Sequence, residues 1–229
     1  MVAALSTELF SSPVDTAARG AIAIVPSAFA ALRKNLEADE AQVLATGWPE
    51  LDAVLPDHGF AHGIVELAAP HALGGATTVA MALVRAAHAK HEEALAAWID
   101  PDGSLYAPSL AQAQVDLDRL LVVRPPSGDL RRVAVNVAAS GAFDVVVVDM
   151  KGSGKGMRDD VFVRKLSLSK CRVLLLTDSY ASKSVPWPTS LRLELSRQAD
   201  SGITLRIAKD RSGRIGTVKT LRNVPWLAA

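Results

Sequence analysis

The sequence predicts an α/β domain: a mostly parallel, twisted sheet flanked by helices, with a C-terminal antiparallel β-hairpin. Three observations carry this. Short apolar runs rich in β-branched residues or leucine, Ile64–Ala68, Phe143–Asp149 and Val173–Thr177, alternate with helix-length stretches, the pattern of parallel strands joined by right-handed crossovers. The first run passes through a small-residue turn directly into an apolar helix, the context a phosphate-binding loop requires. The last third changes period: Leu191–Ser196 alternates apolar and polar residues, and Ile203–Lys209 faces Ile215–Leu221 across the turn Asp210–Arg214.

The elements follow in order. Residues 1–25 carry Ser, Thr, Pro and Gly without periodicity and read as a flexible lead. Pro26 and Ser27 start a helix in which Phe29, Ala30, Leu32, Arg33 and Leu36 set an apolar stripe beside a charged face, and residues 26–43 form a helical arm with its acidic linker. That arm either packs on its own domain or docks on a partner. A core domain then spans 44–229. Leu44–Leu55 is a turn feeding a short amphipathic helix, and Pro56–Gly63 leads into the first strand. The helix after the loop runs to about His91, followed by strand Ala94–Asp100, a helix over 105–116, strand Leu120–Val123 and helix Leu130–Ser140. The strand ending at Asp149, helix Val161–Ser169 and strand Val173–Thr177 complete the parallel part.

Composition bounds the function. A chain of 229 residues suits one sizeable core with a small appendage. With 49% apolar residues it is not a disordered chain, and a net charge of +1 leaves any nucleic-acid contact to local patches. The lone Cys171 makes neither an internal disulfide nor a zinc cluster and reads as a small core residue in a reducing cytoplasm. The N-terminus lacks a signal-peptide pattern and no apolar run is long enough to span a membrane, so a soluble cytoplasmic protein is expected.

The loop itself is incomplete. Gly75-Ala-Thr-Thr78 stands where Gly-Lys-Thr-Thr would stand in a working phosphate loop, so the lysine is Ala76. That lysine is the point charge on the terminal phosphates, and the following hydroxyl holds magnesium. Gly74, Gly75, Thr77, Thr78 and the strand-end Asp149 form a vestigial nucleotide site, without the cation that would stabilise phosphoryl transfer. Backbone amides at the helix N-terminus retain a weak attraction for anions. The expectation is a non-enzymatic protein with no ATP or magnesium cofactor.

Over roughly residues 44–221 the chain resembles the ATP-binding core of the RecA recombinase family, which implies a RecA-like P-loop NTPase fold. The resemblance is carried by Thr46-Gly47 with Leu51-Asp52, Gly63-Ile-Val-Glu66, Trp98-Ile-Asp-Pro-Asp102, Val115–Leu121 and Ser140–Asp149. The departures are specific. The loop has one extra residue, its first glycine is Ala69, the position of the catalytic glutamate is Asp102, and the adenine-stacking aromatic falls at Ser109. The two DNA-binding loops are cut to short basic turns and the family's C-terminal domain is missing. With Tyr106-Ala-Pro-Ser-Leu110 and Leu120-Leu-Val-Val-Arg-Pro125, these departures resemble the ImuA family of bacterial mutagenesis cassettes. That likeness implies action in SOS-induced translesion synthesis beside ImuB, an error-prone replicative-type polymerase and RecA, with nucleoid association when DNA is damaged and with self-association open.

Remaining constellations are weighed against it. Gly152-Ser-Gly-Lys-Gly156 imitates a phosphate loop but lacks glycine at Asp149 and a hydroxyl at Gly156. Lys151, Lys155 and Arg158 sit where the resemblance puts the first DNA loop, so they, with Lys183 in the second loop, are the candidate single-strand contacts; the alternative is a solvated loop. Trp187, rigid between two prolines, joins Phe29, Leu32 and Leu36 as a candidate partner anchor. Asp100 and Asp102 read as strand-end acids, and His88 and His91 as surface polar residues rather than metal ligands. Besides an accessory scaffold, the residues leave open an ATP-binding recombination mediator or RecA regulator, and an anion-sensing regulator without DNA contact.

Overall fold

Four apolar runs, buried on both faces, line up as the parallel centre of one eight-stranded sheet. In the computed structural model the described residues are 43–70, 74–126, 128–150, 160–178, 188–197 and 202–226. The strands are β1 (Gly63–Ala69), β2 (Ala96–Ile99), β3 (Leu120–Val123), β4 (Val145–Asp149), β5 (Arg172–Asp178), β6 (Leu191–Arg197), β7 (Ile203–Asp210) and β8 (Val218–Leu221). The helices are α1 (Pro49–Asp52), α2 (Ala76–Lys90), α3 (Ala107–Gln112), α4 (Leu130–Ala139) and α5 (Asp160–Leu166).

Sheet order is β3-β2-β4-β5-β1-β6-β7-β8. All neighbours from β3 to β6 are parallel, and β7 and β8 are antiparallel additions at one edge. Two apolar cores lie on opposite faces of this sheet. The larger gathers Val65, Leu67, Val147 and Leu174 with α2, and continues under Leu193, Leu205 and Leu221. The smaller gathers Ile64, Val146, Val173 and Leu175 with Ala134 of α4 and Phe162 and Leu166 of α5. Because only the larger core reaches β6 and β7, those strands bury alternate residues, whereas Val145–Val148 of β4 are fully buried.

Helix α2 is buried almost all round, from Ala76 through Val84, which its run of alanines permits by letting backbones approach closely. Its C-terminal end is held by Arg119. That side chain donates from Nη1 to the carbonyls of His88 (3.1 Å), His91 (2.9 Å) and Glu92 (2.9 Å), and from Nε to Asp116 (2.7 Å). At the other side of the larger core, Asp52 fixes the Thr46-Gly47 turn by accepting from Thr46 N (2.8 Å), Thr46 Oγ1 (2.7 Å) and Gly47 N (3.0 Å). The tail after β8 folds back onto α1. Glu50 accepts from Arg222 N, Asn223 N and Asn223 Nδ2, and Trp226 meets Trp48 edge-on at 6.3 Å beneath Arg85.

Four expectations need correction. The helix over 105–116 is only Ala107–Gln112, because Gln114 takes a left-handed backbone (φ 60°) and Asp116 caps a separate 3-10 turn. The strand expected from Ala94 begins at Ala96, after an exposed Leu95. The hairpin's second strand starts at Val218 rather than Ile215, since Gly213 and Gly216, both at positive φ, lengthen the turn. His88 is not a surface residue: it is 5% exposed and, among the described residues, neither ring nitrogen has a hydrogen-bond partner. The remaining strands and helices agree with the sequence to within a few residues at each end, and Cys171 is buried as expected.

Burial depresses the His88 pKa, reinforced by the nearby Arg119 charge. An unfolded histidine takes its proton near its ordinary value of 6.5, while the folded one resists it. Stability from this site is therefore complete above that value and is lost as pH falls below it. Denaturant midpoints measured at neutral and mildly acidic pH should drop more for the native chain than for His88→Leu; equal drops would show that the ring does not govern the acid limb.

Candidate functional site

The loop expected to cradle phosphate leaves the C-terminal end of β1 at Ala69 and Pro70 and re-enters described structure at Gly74. Gly75 caps α2 with a left-handed backbone, φ 84°. That conformation and its surroundings both demand glycine: a Cβ on Gly75 would lie 2.8 Å from the Ile203 side chain of β7. At Gly74 a Cβ would collide with the methyl of Ala69, the residue standing in for the loop's first glycine. The returning chain thus lies tightly against the end of its own strand.

Ala76 is 3% exposed and packs in the larger core with Ala69 and Ile203. Where a phosphate loop projects an ammonium group, this chain buries a methyl. Thr77 is half-buried and Thr78 buried, and the first turn of α2 carries no acidic residue. Asp149 ends β4 at the same edge of the sheet, 6% exposed, paired in register with Leu176 of β5 as Ala69 is with Asp178. With β5 between them, β4 and β1 are about 10 Å apart. The structure therefore brings Gly74, Gly75, Thr77, Thr78 and Asp149 to one end of the sheet.

Sequence reasoning missed the strongest electrostatic feature beside this loop. Glu66, in the middle of β1, is 4% exposed and accepts hydrogen bonds from Thr177 Oγ1 of β5 at 2.9 Å and Arg192 Nη1 of β6 at 2.8 Å. The charges continue outward: Glu194 bridges Arg192 (3.7 Å) and Arg206 of β7 (2.9 Å). A glutamate inside an otherwise apolar central strand was the available signal, because such a charge is retained only with a partner.

Of the other expected acids, Asp100 has structural work. Asp100, 1% exposed, accepts from Ser104 N (2.9 Å), Ser104 Oγ (3.3 Å) and Leu105 N (3.1 Å), with Arg124 at 3.7 Å, and so shapes the turn after β2. Asp102 is exposed on that turn, and Ser109 is half-buried on α3. Lys151, Lys155, Arg158 and Lys183, as well as Phe29, Leu32, Leu36 and Trp187, lie outside the described residues. Among the described residues no group of three or more His, Cys, Asp or Glu side chains is placed to hold a metal, and no helix is long and apolar enough to cross a membrane.

Comparison with known proteins agrees with the fold. The chain matches the RecA N-terminal domain over residues 27–153, more than half its length. It is 38% identical over 110 residues to Protein RecA of Streptococcus pyogenes and, by the same measure, to Protein RecA of Streptococcus pneumoniae. Those matches cover 47% of this chain and 28% of each relative.

Removing the arginine alone should be far more damaging than removing the charges together. Arg192→Ala strands a buried carboxylate and should cost about 3–5 kcal/mol, whereas Arg192→Met with Glu66→Leu should recover most of it. Chemical denaturation of both variants checks this. Equal losses would show that packing, not the unpaired charge, carries the effect.

Proposed function

The chain belongs to the RecA N-terminal domain family, and on that premise we propose a non-catalytic accessory protein of the ImuA type in SOS-induced, error-prone translesion synthesis. In this reading it links a polymerase assembly, ImuB with an error-prone replicative-type polymerase, to RecA or to single-stranded DNA. The observation that carries the reading is Ala76. A RecA-type fold has kept the strand, turn and helix of its nucleotide loop while replacing the transition-state cation by a methyl group that packs in the core.

Three features support it. The first loop glycine is Ala69, whose side chain occupies the space beside Gly74. Asp102 shortens the position of the family's catalytic glutamate by one methylene. The strand-end Asp149 is kept, as expected if the scaffold is preserved for a surface it presents. The segments Tyr106–Leu110 and Leu120–Pro125, on which the ImuA likeness rests, form the cap and first turn of α3 and the edge strand β3 with the two residues after it. Partner contact is assigned to the segment around Phe29, Leu32 and Leu36 and to Trp187, and single-strand contact to Lys151, Lys155, Arg158 and Lys183. Pull-down of the purified chain with ImuB, RecA and the polymerase, separately and together, tests the assembly; binding to none of the three removes the proposal.

Two solution measurements test the chemistry. The protein should release no phosphate from ATP above a blank, and Ala76→Lys alone should not restore turnover, because the loop there is packed; turnover that vanishes in Asp149→Ala would overturn the reading. Binding to single-stranded DNA should weaken with salt at a logarithmic slope of about −3, from roughly four phosphate contacts. Alanine at Lys151, Lys155, Arg158 and Lys183 together should flatten that slope, and an unchanged slope would move the contact elsewhere.

A further inference from the structure

Helix α5 turns Phe162, Val163 and Leu166 onto the smaller core. At 3.6 residues per turn the opposite face is formed by positions 161, 164, 165 and 168. Hydrogen bonds from Ser167 N to Val163 O and from Leu168 N to Lys165 O carry the helical path through that last position. The outward stripe has two unlike components. Val161 is 66% exposed and Leu168 82%, while Arg164 and Lys165 are exposed between them and Lys170 just beyond. Among the described residues, no ion pair engages Arg164, Lys165 or Lys170.

Favourable interaction with the helix dipole accounts for cations in the last turn. It gives no reason for two large aliphatic side chains on the same stripe. We propose that this face of α5 docks an acidic, amphipathic segment of a partner protein, whose apolar side covers Val161 and Leu168 and whose carboxylates meet Arg164, Lys165 and Lys170. Charge complementarity selects the acidic partner. The aliphatic character selects protein over nucleic acid, because single strands are held by aromatic stacking and the aromatic of this helix, Phe162, faces inward. The surface is separate from the nucleotide loop, so the inference stands whether or not the chain hydrolyses ATP.

The test titrates the full-length protein with a labelled helical peptide bearing leucines on one face and glutamates on the other, read by fluorescence anisotropy. Val161→Ser with Leu168→Ser should weaken binding about tenfold. Arg164→Glu with Lys165→Glu should weaken it at least as much, and added salt should weaken the native chain. All four positions are exposed, so melting transitions should be kept; if the serine pair lowers its transition, Leu168→Lys alone reads the same contact. Unchanged affinity in both sets of variants overturns the proposal. So does charge reversal that abolishes binding of an oligothymidylate while the serine pair leaves the peptide unaffected, which would make the face a phosphate-binding surface.

Discussion

A single buried carboxylate, Glu66, sets the terms for the centre of this molecule. It sits in β1, the strand whose end launches the loop, and burial of an unpaired charge there would cost more than the fold can spare. Thr177 and Arg192 answer it from the two flanking strands, so β5, β1 and β6 are cross-linked on one face by side chains as well as by their backbone ladder. This is also where the helical cover of that face ends. Inward of β1 the face is packed by α4 and α5; outward of it, Arg192, Glu194 and Arg206 form a ladder of alternating charge that becomes more exposed from Arg192 to Arg206. The network therefore marks the seam between a doubly covered parallel sheet and a singly covered antiparallel edge.

The loop beside that seam is shaped by close packing. A phosphate loop needs space at its centre and a cation reaching into it. In this chain two methyl groups do the opposite: Ala69 presses on Gly74, and Ala76 is buried in the larger core. What is kept is what the fold itself requires, the left-handed Gly75 at the helix cap and the buried first turn of α2. Retaining the motif's outline thus needs no nucleotide to explain it, because packing alone constrains the same positions.

Polar residues away from the loop serve as scaffolding by the same logic. Asp100 satisfies the backbone of its turn, Asp52 that of the Thr46-Gly47 corner, and Arg119 the carbonyl end of α2. Each closes hydrogen bonds that would otherwise be buried or frayed. His88 is the exception: its ring is buried without a hydrogen-bond partner among the described residues, which makes it a titratable weak point at the end of the most buried helix.

Periodicity and local chemistry were enough to place every strand and helix of the described core to within a few residues, because strands buried on both faces and an alanine-rich helix leave unmistakable apolar runs. That Ala76 follows Gly75 at the start of the helix is equally a fact of the sequence, since it depends on one residue at a fixed distance from a strand. The boundaries that shifted, at Leu95, Gln114 and Val218, did so where a turn overrode a continuing pattern. Other facts belonged to the tertiary structure alone. Whether His88 faced water or core depended on what the end of α2 met, and Glu66 revealed its role only when Arg192, distant in sequence, arrived in register beside it. Burial and pairing are relations between segments, and a sequence read locally carries the segments but not their distances.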